Sequence, residues 1–281
     1  MRLSFRKDYA ILLDMKKFET VRYTIPIEKE NCHPTGKIRI VLLSDLHNWS
    51  YGKKNESLIR EIGNQKPDLI AVTGDMLTSE RKREEQVALE LMKALAEKYP
   101  VYYGNGNHEY RMKLDTEAFG VRYERYARAL RKAGVVLLEN EYADLTIKGV
   151  PLRIYGLQIP WRYYKRFCFQ SISPECIRKC LGKGTKGRYQ ILLAHNPASF
   201  RNYEAWGAEL TLSGHLHGGF IRVKPFGGLL SPQCVPFPRY DKGVFAINGR
   251  YMVVSAGLGS HSRLPRIGNP TELVVIDLIQ P

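Results

Sequence analysis

Apolar runs of strand composition in this chain repeatedly end in short polar turns, and those turns carry the residue types that bind metal. The turns are Ser44-Asp45-Leu46-His47, Thr73-Gly74-Asp75, Gly106-Asn107-His108-Glu109, Ala194-His195-Asn196 and Gly214-His215-Leu216-His217-Gly218, spread over about 170 residues. A fold that places several such turns together must gather strand ends on one side of a sheet. That is the arrangement from which an enzyme builds a metal site.

The pattern between the turns supports a sheet of this kind. Residues 20–27 alternate and predict an edge strand, with Pro26 tolerated near its end. Residues 37–44 are almost continuously apolar, as a strand buried on both faces requires. A helix is predicted over 55–65, with Leu58, Ile59 and Ile62 on one face, then a second buried strand over 69–73. An amphipathic helix over 84–99, a strand at 101–103 and a helix over 116–133 follow. This β-α-β-α-β alternation predicts parallel strands with right-handed crossovers, whose ligands collect beyond the carboxyl ends of the strands. Asp45, Asp75 and Asn107 fall at those ends.

From Val135 onward the runs shorten, to 135–138, 143–147, 152–155, 190–194, 210–213, 244–247, 251–255 and 273–278. They predict a second sheet, more antiparallel, facing the first. No internal repeat or long linker divides the chain. The expectation is an α/β fold in one domain over 1–281, with a core at about 37–278 and a basic, aromatic insertion at 159–187.

Composition narrows the setting. Hydrophobic content of 44% with 25% charged residues is ordinary for a globular protein. No apolar run approaches the ~18 residues of a membrane span. The N-terminus carries Arg2, Arg6 and Lys7, and its apolar stretch Tyr9–Leu13 is too short for a signal-peptide core and closes at Asp14. Cys32, Cys168, Cys176, Cys180 and Cys234 form no Cys-x-x-Cys pair, and Cys176 with Cys180 reads as two thiols on one helical face. A reducing, cytoplasmic location is expected. The net charge of +15 favours anionic partners: phosphorylated metabolites, acidic lipid headgroups or nucleic acid.

Five of the seven histidines lie inside the turns, next to glycine, Asp or Asn, whereas His33 and His261 do not. Asp45 and His47 are spaced i, i+2, so in a regular strand both would project to one face, and His215 and His217 share that spacing. Asp75 adds a carboxylate after a permissive Gly74, Asn107 an amide oxygen and His195 a further imidazole. Mixed oxygen and imidazole donors suit Mn²⁺, Fe or Zn²⁺ without choosing among them.

In this order the motifs resemble the calcineurin-like metallophosphoesterases, over roughly residues 37–278. The details are similar to the family's YkuE- and YaeI-like bacterial branch. They are Lys66-Pro67-Asp68-Leu69-Ile70, His195-Asn196-Pro197, Gly214-His215-Leu216-His217-Gly218-Gly219 and Gly257-Leu258-Gly259-Ser260. The resemblance implies a four-layer α/β/β/α sandwich and two divalent ions, with manganese favoured over iron or zinc. It implies that Asp45, His47 and His217 hold one ion, that Asn107, His195 and His215 hold the other, and that Asp75 bridges them. His108 would stand near the leaving-group oxygen as general acid or transition-state stabiliser. The reaction implied is hydrolysis of a phosphoester, phosphodiester or pyrophosphate, on a lipid-linked or other amphiphilic substrate. A basic metal-dependent nuclease and a metal-stabilised binding protein without turnover are the alternatives. The chain departs from secreted or anchored members of the branch in showing no signal or membrane helix, which weighs against a cell-envelope role.

Trp161-Arg162-Tyr163-Tyr164-Lys165-Arg166-Phe167-Cys168-Phe169 interleaves cations with aromatics. It reads as a half-buried helix, as a substrate-facing cap, as a segment resting on acidic membrane lipid, or as a platform for stacking bases. Residues 161–166 are therefore the candidate substrate contacts, and peripheral attachment at the inner membrane surface is an associated expectation. Gly182-Lys183-Gly184-Thr185-Lys186-Gly187 lacks the spacing of a phosphate-binding loop and reads as a basic turn.

Overall fold

The structure, a computed structural model, describes residues 17–30, 32–80, 85–165, 167–168, 170–219, 221–223, 225–260 and 266–281. The basic N-terminal stretch, Glu84, Arg166, Phe169 and His261 lie outside the described residues. In chain order the first half contains β1 (Glu19–Pro26), β2 (Ile38–Leu43), α1 (Glu56–Gln65), β3 (Leu69–Val72), α2 (Gln86–Ala96), β4 (Val101–Gly104), α3 (Asn107–Leu114), α4 (Thr116–Phe119), α5 (Arg122–Lys132) and β5 (Val136–Leu138). The second half contains β6 (Glu141–Ile147), β7 (Val150–Leu157), α6 (Pro174–Leu181), β8 (Tyr189–Ala194), α7 (Phe200–Trp206), β9 (Leu210–Ser213), β10 (Arg222–Val223), β11 (Gly227–Gly228), β12 (Gly243–Ile247), β13 (Arg250–Val254) and β14 (Glu272–Ile279).

Strand alternation sets the layers. Ile40 and Leu42 of β2 and Leu69 and Ala71 of β3 face inward, onto Leu152 and Ile154 of β7, Ile191 and Leu193 of β8, and Leu210 and Leu212 of β9. Their neighbours Val41, Leu43, Ile70 and Val72 face outward, onto Leu58 and Ile62 of α1, Leu91 and Leu95 of α2, and Tyr126 and Leu130 of α5. On the far side, Tyr155, Leu192 and Ala194 pack against Ile177 and Leu181 of α6 and Tyr203 and Trp206 of α7. The result is the expected α/β/β/α sandwich. Both faces of each central strand are buried, which is why β2, β3 and β8 read as continuous apolar runs.

The sheet orders are β1-β14-β2-β3-β4-β5 and β12-β13-β9-β8-β7-β6, with β10 and β11 forming a separate hairpin. As expected, β1 is an edge strand, and β2, β3 and β4 pair in parallel. Three expectations need correction. β5 and β14 join the first sheet instead of the second, β5 in parallel with β4 and β14 between β1 and β2. The second sheet is not mainly antiparallel: β7·β8, β8·β9 and β9·β13 are parallel, and only the outer β6 and β12 run antiparallel to their neighbours. The helix expected over 116–133 is broken at Gly120 (φ 58°) into α4 and α5, and α3 begins directly at Asn107. Short apolar runs reveal strand character but not strand neighbours, so these pairings were not written in local sequence.

None of the described helices is long and apolar enough to cross a membrane.

Candidate metal centre

Every polar turn singled out above emerges from the carboxyl end of a central strand. Asp45 and His47 follow β2, Asp75 follows β3, Asn107 and His108 follow β4, His195 follows β8, and His215 and His217 follow β9. The loops are laced together by backbone hydrogen bonds, from Asp45 N to Gly74 O (2.9 Å), His47 N to Asp75 O (3.0 Å), Gly214 N to His195 O (3.1 Å) and Gly259 N to Asp45 O (2.7 Å). The i, i+2 pairs do not work by strand alternation. Asp45 (φ 53°), His47 (φ 49°), Asp75 (φ 52°), His215 (φ 70°) and His217 (φ 51°) all adopt left-handed backbone, which costs a non-glycine residue energy and turns its side chain inward. Glycine is required beside them: a Cβ on Gly74 would collide with the Gly106 backbone, and one on Gly214 with Ser44 and the Asp45 carboxylate.

Asp45, His47, Asp75, His195, His215 and His217 are all buried. Asp45 Oδ1 lies 3.5 Å from His217 Nε2 and 3.8 Å from His47 Nε2. Asp75 Oδ2 lies 3.1 Å from His195 Nε2, and 4.0 Å from both His47 Nε2 and His108 Nε2. Donor atoms cluster as Asp45–His47–His217, Asp75–His195–His215 and His47–Asp75–His108, each within 4.8 Å of one another. Asp75 therefore faces both halves of the cluster. The Nδ1 of His195 lies 2.7 Å from the Thr73 carbonyl, an acceptor only, so Nδ1 carries a proton and Nε2, which faces Asp75, is the nitrogen available to a metal ion. The buried Asn107 Oδ1 and His215 Nε2 have no hydrogen-bond partner.

Such a cluster is electrostatically incomplete. Burial raises the Asp45 carboxyl above its usual range, with His195 opposing and Asp75 adding to the rise. For Asp75 burial acts upward too, but the surrounding His195, His108 and His47 hold it well below the usual carboxylate range. Burial would lower His195, yet Asp75 and Asp45 push it up to about 9. His215 is driven down to about 3 by burial and by the neighbouring His195. Two buried carboxylates thus recruit positive charge, while an adjacent imidazole is kept neutral with an orphaned nitrogen. Divalent cations satisfy both demands, and the residues present fit them.

His108 is set apart. Its Nδ1 accepts from Ser79 N at 2.9 Å and stands 2.9 Å from Ser79 Oγ, so the proton resides on Nε2, which points toward Asp75. With 15% of its side chain exposed, it sits at the rim, where a substrate can reach it.

Glu109 closes the Gly106-Asn107-His108-Glu109 turn without facing the donor cluster. Its fully buried carboxylate accepts from Asp75 N (2.8 Å), Met76 N (2.9 Å), Gly106 N (3.1 Å) and Tyr103 Oη (2.8 Å), which fixes the turn that aims Asp75. A Glu at the third position of a helix that starts at a ligand is a capping signal readable in sequence. Arg266 carried no such signal, yet its Nη2 lies 2.9 Å from His217 Nδ1.

The candidate substrate contacts divide. Tyr164 lies against the cluster, its ring 5.3 Å from that of His215 and 6.2 Å from that of His195. Trp161 packs on Tyr164 (6.1 Å) and on Tyr110 of α3 (6.5 Å). Tyr163 is buried and carries the Arg162 guanidinium 4.8 Å above its ring, while Lys165 is exposed. The turn at 182–187 is far from all of this: Lys183, Gly184, Thr185 and Lys186 line an 830 Å³ cavity that includes none of the candidate ligands.

Comparison with known proteins agrees with this site. Residues 38–219 match the calcineurin-like phosphoesterase family, and the chain belongs to it. The phosphodiesterase YaeI of Escherichia coli (strain K12) is 27% identical over 268 residues, covering 93% of this chain and 88% of that protein. The metallophosphoesterase YkuE of Bacillus subtilis (strain 168) is 26% identical over 264 residues, covering 92% and 84%. The crystal structure of the phosphopantetheinyl hydrolase PptH from Mycobacterium tuberculosis shares the fold, with a TM-score of 0.51 at 16% identity over 78% of this chain and 89% of that one. The chain is a metal-dependent phosphoester hydrolase.

Proposed function

We propose that Asp45, His47 and His217 hold one divalent ion, that Asn107, His195 and His215 hold a second, and that Asp75 bridges them, in an enzyme that cleaves phosphodiester or pyrophosphate bonds. The observation that carries this reading is the paired donor cluster with Asp75 facing both halves. These residues would hold manganese by family resemblance, with iron or zinc as alternatives, and the bound metal would supply Lewis-acid activation of water and charge stabilisation at the phosphoryl oxygens. Ser79 holds His108 in the tautomer that can donate an Nε2 proton to the departing oxygen. Glu109 keeps Asp75 aimed, and the Thr73 carbonyl orients His195.

The substrate on this reading is anionic and amphiphilic. Beside the cluster, a cavity of about 380 Å³ is lined by Leu216, between the two histidines of its turn, with Cys168, Val235, Pro238, Arg201 and Arg239. It offers an apolar wall and two cations but no carboxylate, which suits a phosphorylated group attached to an apolar one. Tyr164 and Trp161 supply the neighbouring aromatic wall, and with Arg162 and Lys165 they are the proposed substrate contacts. The proposed location is the cytoplasm, peripheral at the inner membrane face. The five free thiols suit a reducing compartment. A nuclease is the less favoured alternative.

The test compares turnover of p-nitrophenyl phosphate and bis-p-nitrophenyl phosphate by chelator-treated protein reloaded with Mn²⁺, Zn²⁺ or Fe²⁺. Preferential turnover of the diester is expected. Turnover of neither with any metal would remove the reading in favour of a binding protein.

A further inference from the structure

Seven of the twelve large hydrophobic side chains exposed among the described residues belong to one surface: Phe167, Ile221, Val223, Phe226, Leu230, Phe237 and Ile267. Their backbones are joined. Phe167 N donates to Gln233 O (2.9 Å), Leu229 N to Ile221 O (2.9 Å), Phe237 N to Leu229 O (3.0 Å) and Arg222 N to Ile267 O (2.9 Å). The rings are far from incidental exposure: Phe226 is 72% exposed, Phe167 66% and Phe237 63%. A soluble domain rarely collects so many on one patch without a surface to bury them.

Charge says what that surface is. No Asp or Glu occurs over residues 145–174, and Asp241 is the one carboxylate over 210–271. Asp241 is itself buried and neutralised by Arg222 at 2.6 Å. Lys165, Arg201 and Arg239 are exposed around the apolar residues. Apolar tips ringed by cations, with acids removed, match the interface of an acidic bilayer, where phenyl rings enter the headgroup region and cations meet phosphate. A protein partner of ordinary surface would not demand the loss of every exposed carboxylate.

The patch also adjoins the site. Its chain leaves directly after His217-Gly218-Gly219, Asn269 donates to the carbonyls of both His217 and Gly219, and Gln233 Nε2 donates to the Tyr163 carbonyl next to Tyr164. We infer that Ile221, Val223, Phe226, Leu230 and Phe237, with Phe167 and Ile267, dock the enzyme on an acidic phospholipid membrane, so that the mouth of the metal centre opens onto the bilayer. The inference rests on the amphiphilic-substrate reading and gives it a different anchor: the exposed Phe226 and Phe237, not the half-packed aromatics of residues 161–164.

The test is co-sedimentation of the full chain with phosphatidylglycerol or phosphatidylcholine vesicles at low and high salt, for the wild type and Phe226→Ser/Phe237→Ser. Binding to phosphatidylglycerol alone, weakened by salt, is expected. Each ring removed should weaken partitioning about tenfold. Melting temperature and turnover of bis-p-nitrophenyl phosphate should be unchanged, because both rings are exposed and outside the site. A Phe226→Trp variant should show a blue-shifted emission on the same vesicles. No binding to phosphatidylglycerol at low salt, or equal binding by the double variant, overturns the inference. So does a wild-type dimer in light scattering that the double variant converts to monomer, since a second copy then covers the patch. Vesicle binding without turnover would instead remove the hydrolase reading and leave the docking surface standing.

Discussion

Replacing Glu109 tests whether a residue that touches no ion governs the ion site. Glu109→Ala removes the acceptor for three backbone N–H groups and the Tyr103 hydroxyl, all buried. Four buried donors lose their acceptor, each at about 1–1.5 kcal/mol for an ordinary hydrogen bond with the carboxylate's charge counted separately below, which destabilises by about 4–6 kcal/mol. An opposing effect arises because burial, with Asp75 adding, pushes the Glu109 pKa up to about 7. A folded pKa above the unfolded one means the ionised form is disfavoured by folding. That penalty is absent below the unfolded value, near 4.5, and complete above about 7, where deleting the group returns about 3 kcal/mol. The net loss at pH 8 is therefore about 1–3 kcal/mol, or about 2–6 °C in Tm for a chain this size. Thermal melts of the metal-free protein, followed by metal analysis after reloading, would measure both consequences. Metal content should fall, since the Asp75 turn loses its clamp, and Glu109→Gln should fall between the two because it keeps the Asp75 and Gly106 contacts. A Tm within 1 °C of wild type together with full metal content would refute the clamp.

Two further substitutions test His108 at the site and an ion pair away from it. His108→Ala should lower kcat on bis-p-nitrophenyl phosphate by about 10²–10⁴-fold while leaving metal content intact, and loss of metal would make His108 a ligand instead. Asp277→Asn should destabilise by about 1–2 kcal/mol at pH 7, because the exposed Arg22 and the nearby Arg39 share its charge in a partly screened setting. Burial opposes, but the hydrogen bonds from Arg39 and Arg22 hold the Asp277 pKa down to about 2, so this contribution is present above about pH 4 and fades toward pH 2. Urea melts at pH 7 and pH 2.5 should show the difference between wild type and Asp277→Asn shrinking, and a difference independent of pH would contradict the assignment.

What local sequence revealed and what it hid have physical causes. Ligands at strand ends were legible because β2, β3, β4, β8 and β9 are short, buried and continuous, and each stops at a polar turn. The layers followed from alternation within those runs. The pairing of β14 between β1 and β2, and the parallel centre of the second sheet, depend on contacts between distant segments that no local pattern encodes. The left-handed backbone at Asp45, His47, His215 and His217 was hidden for a related reason. Non-glycine residues reach it only when surrounding loops impose it, so their i, i+2 spacing suggested strand geometry that the site does not use. The aromatic segment at 161–169 drew attention by composition, yet Tyr163 is buried and Trp161 and Tyr164 are half-buried. Of its described rings only Phe167 is exposed, and the other strongly exposed rings, Phe226 and Phe237, sat in a stretch whose glycines and prolines read only as loop.

The central claim is that the chain holds two ions through a shared Asp75 and hydrolyses phosphoesters with them. Its most direct test titrates Mn²⁺ into chelator-stripped protein while following bis-p-nitrophenyl phosphate turnover, for the wild type and Asp75→Asn. The account predicts turnover that saturates at two ions per wild-type chain, and neither stoichiometric binding nor turnover in Asp75→Asn. Full turnover in the stripped protein, or an Asp75→Asn curve that overlays the wild type, would contradict it.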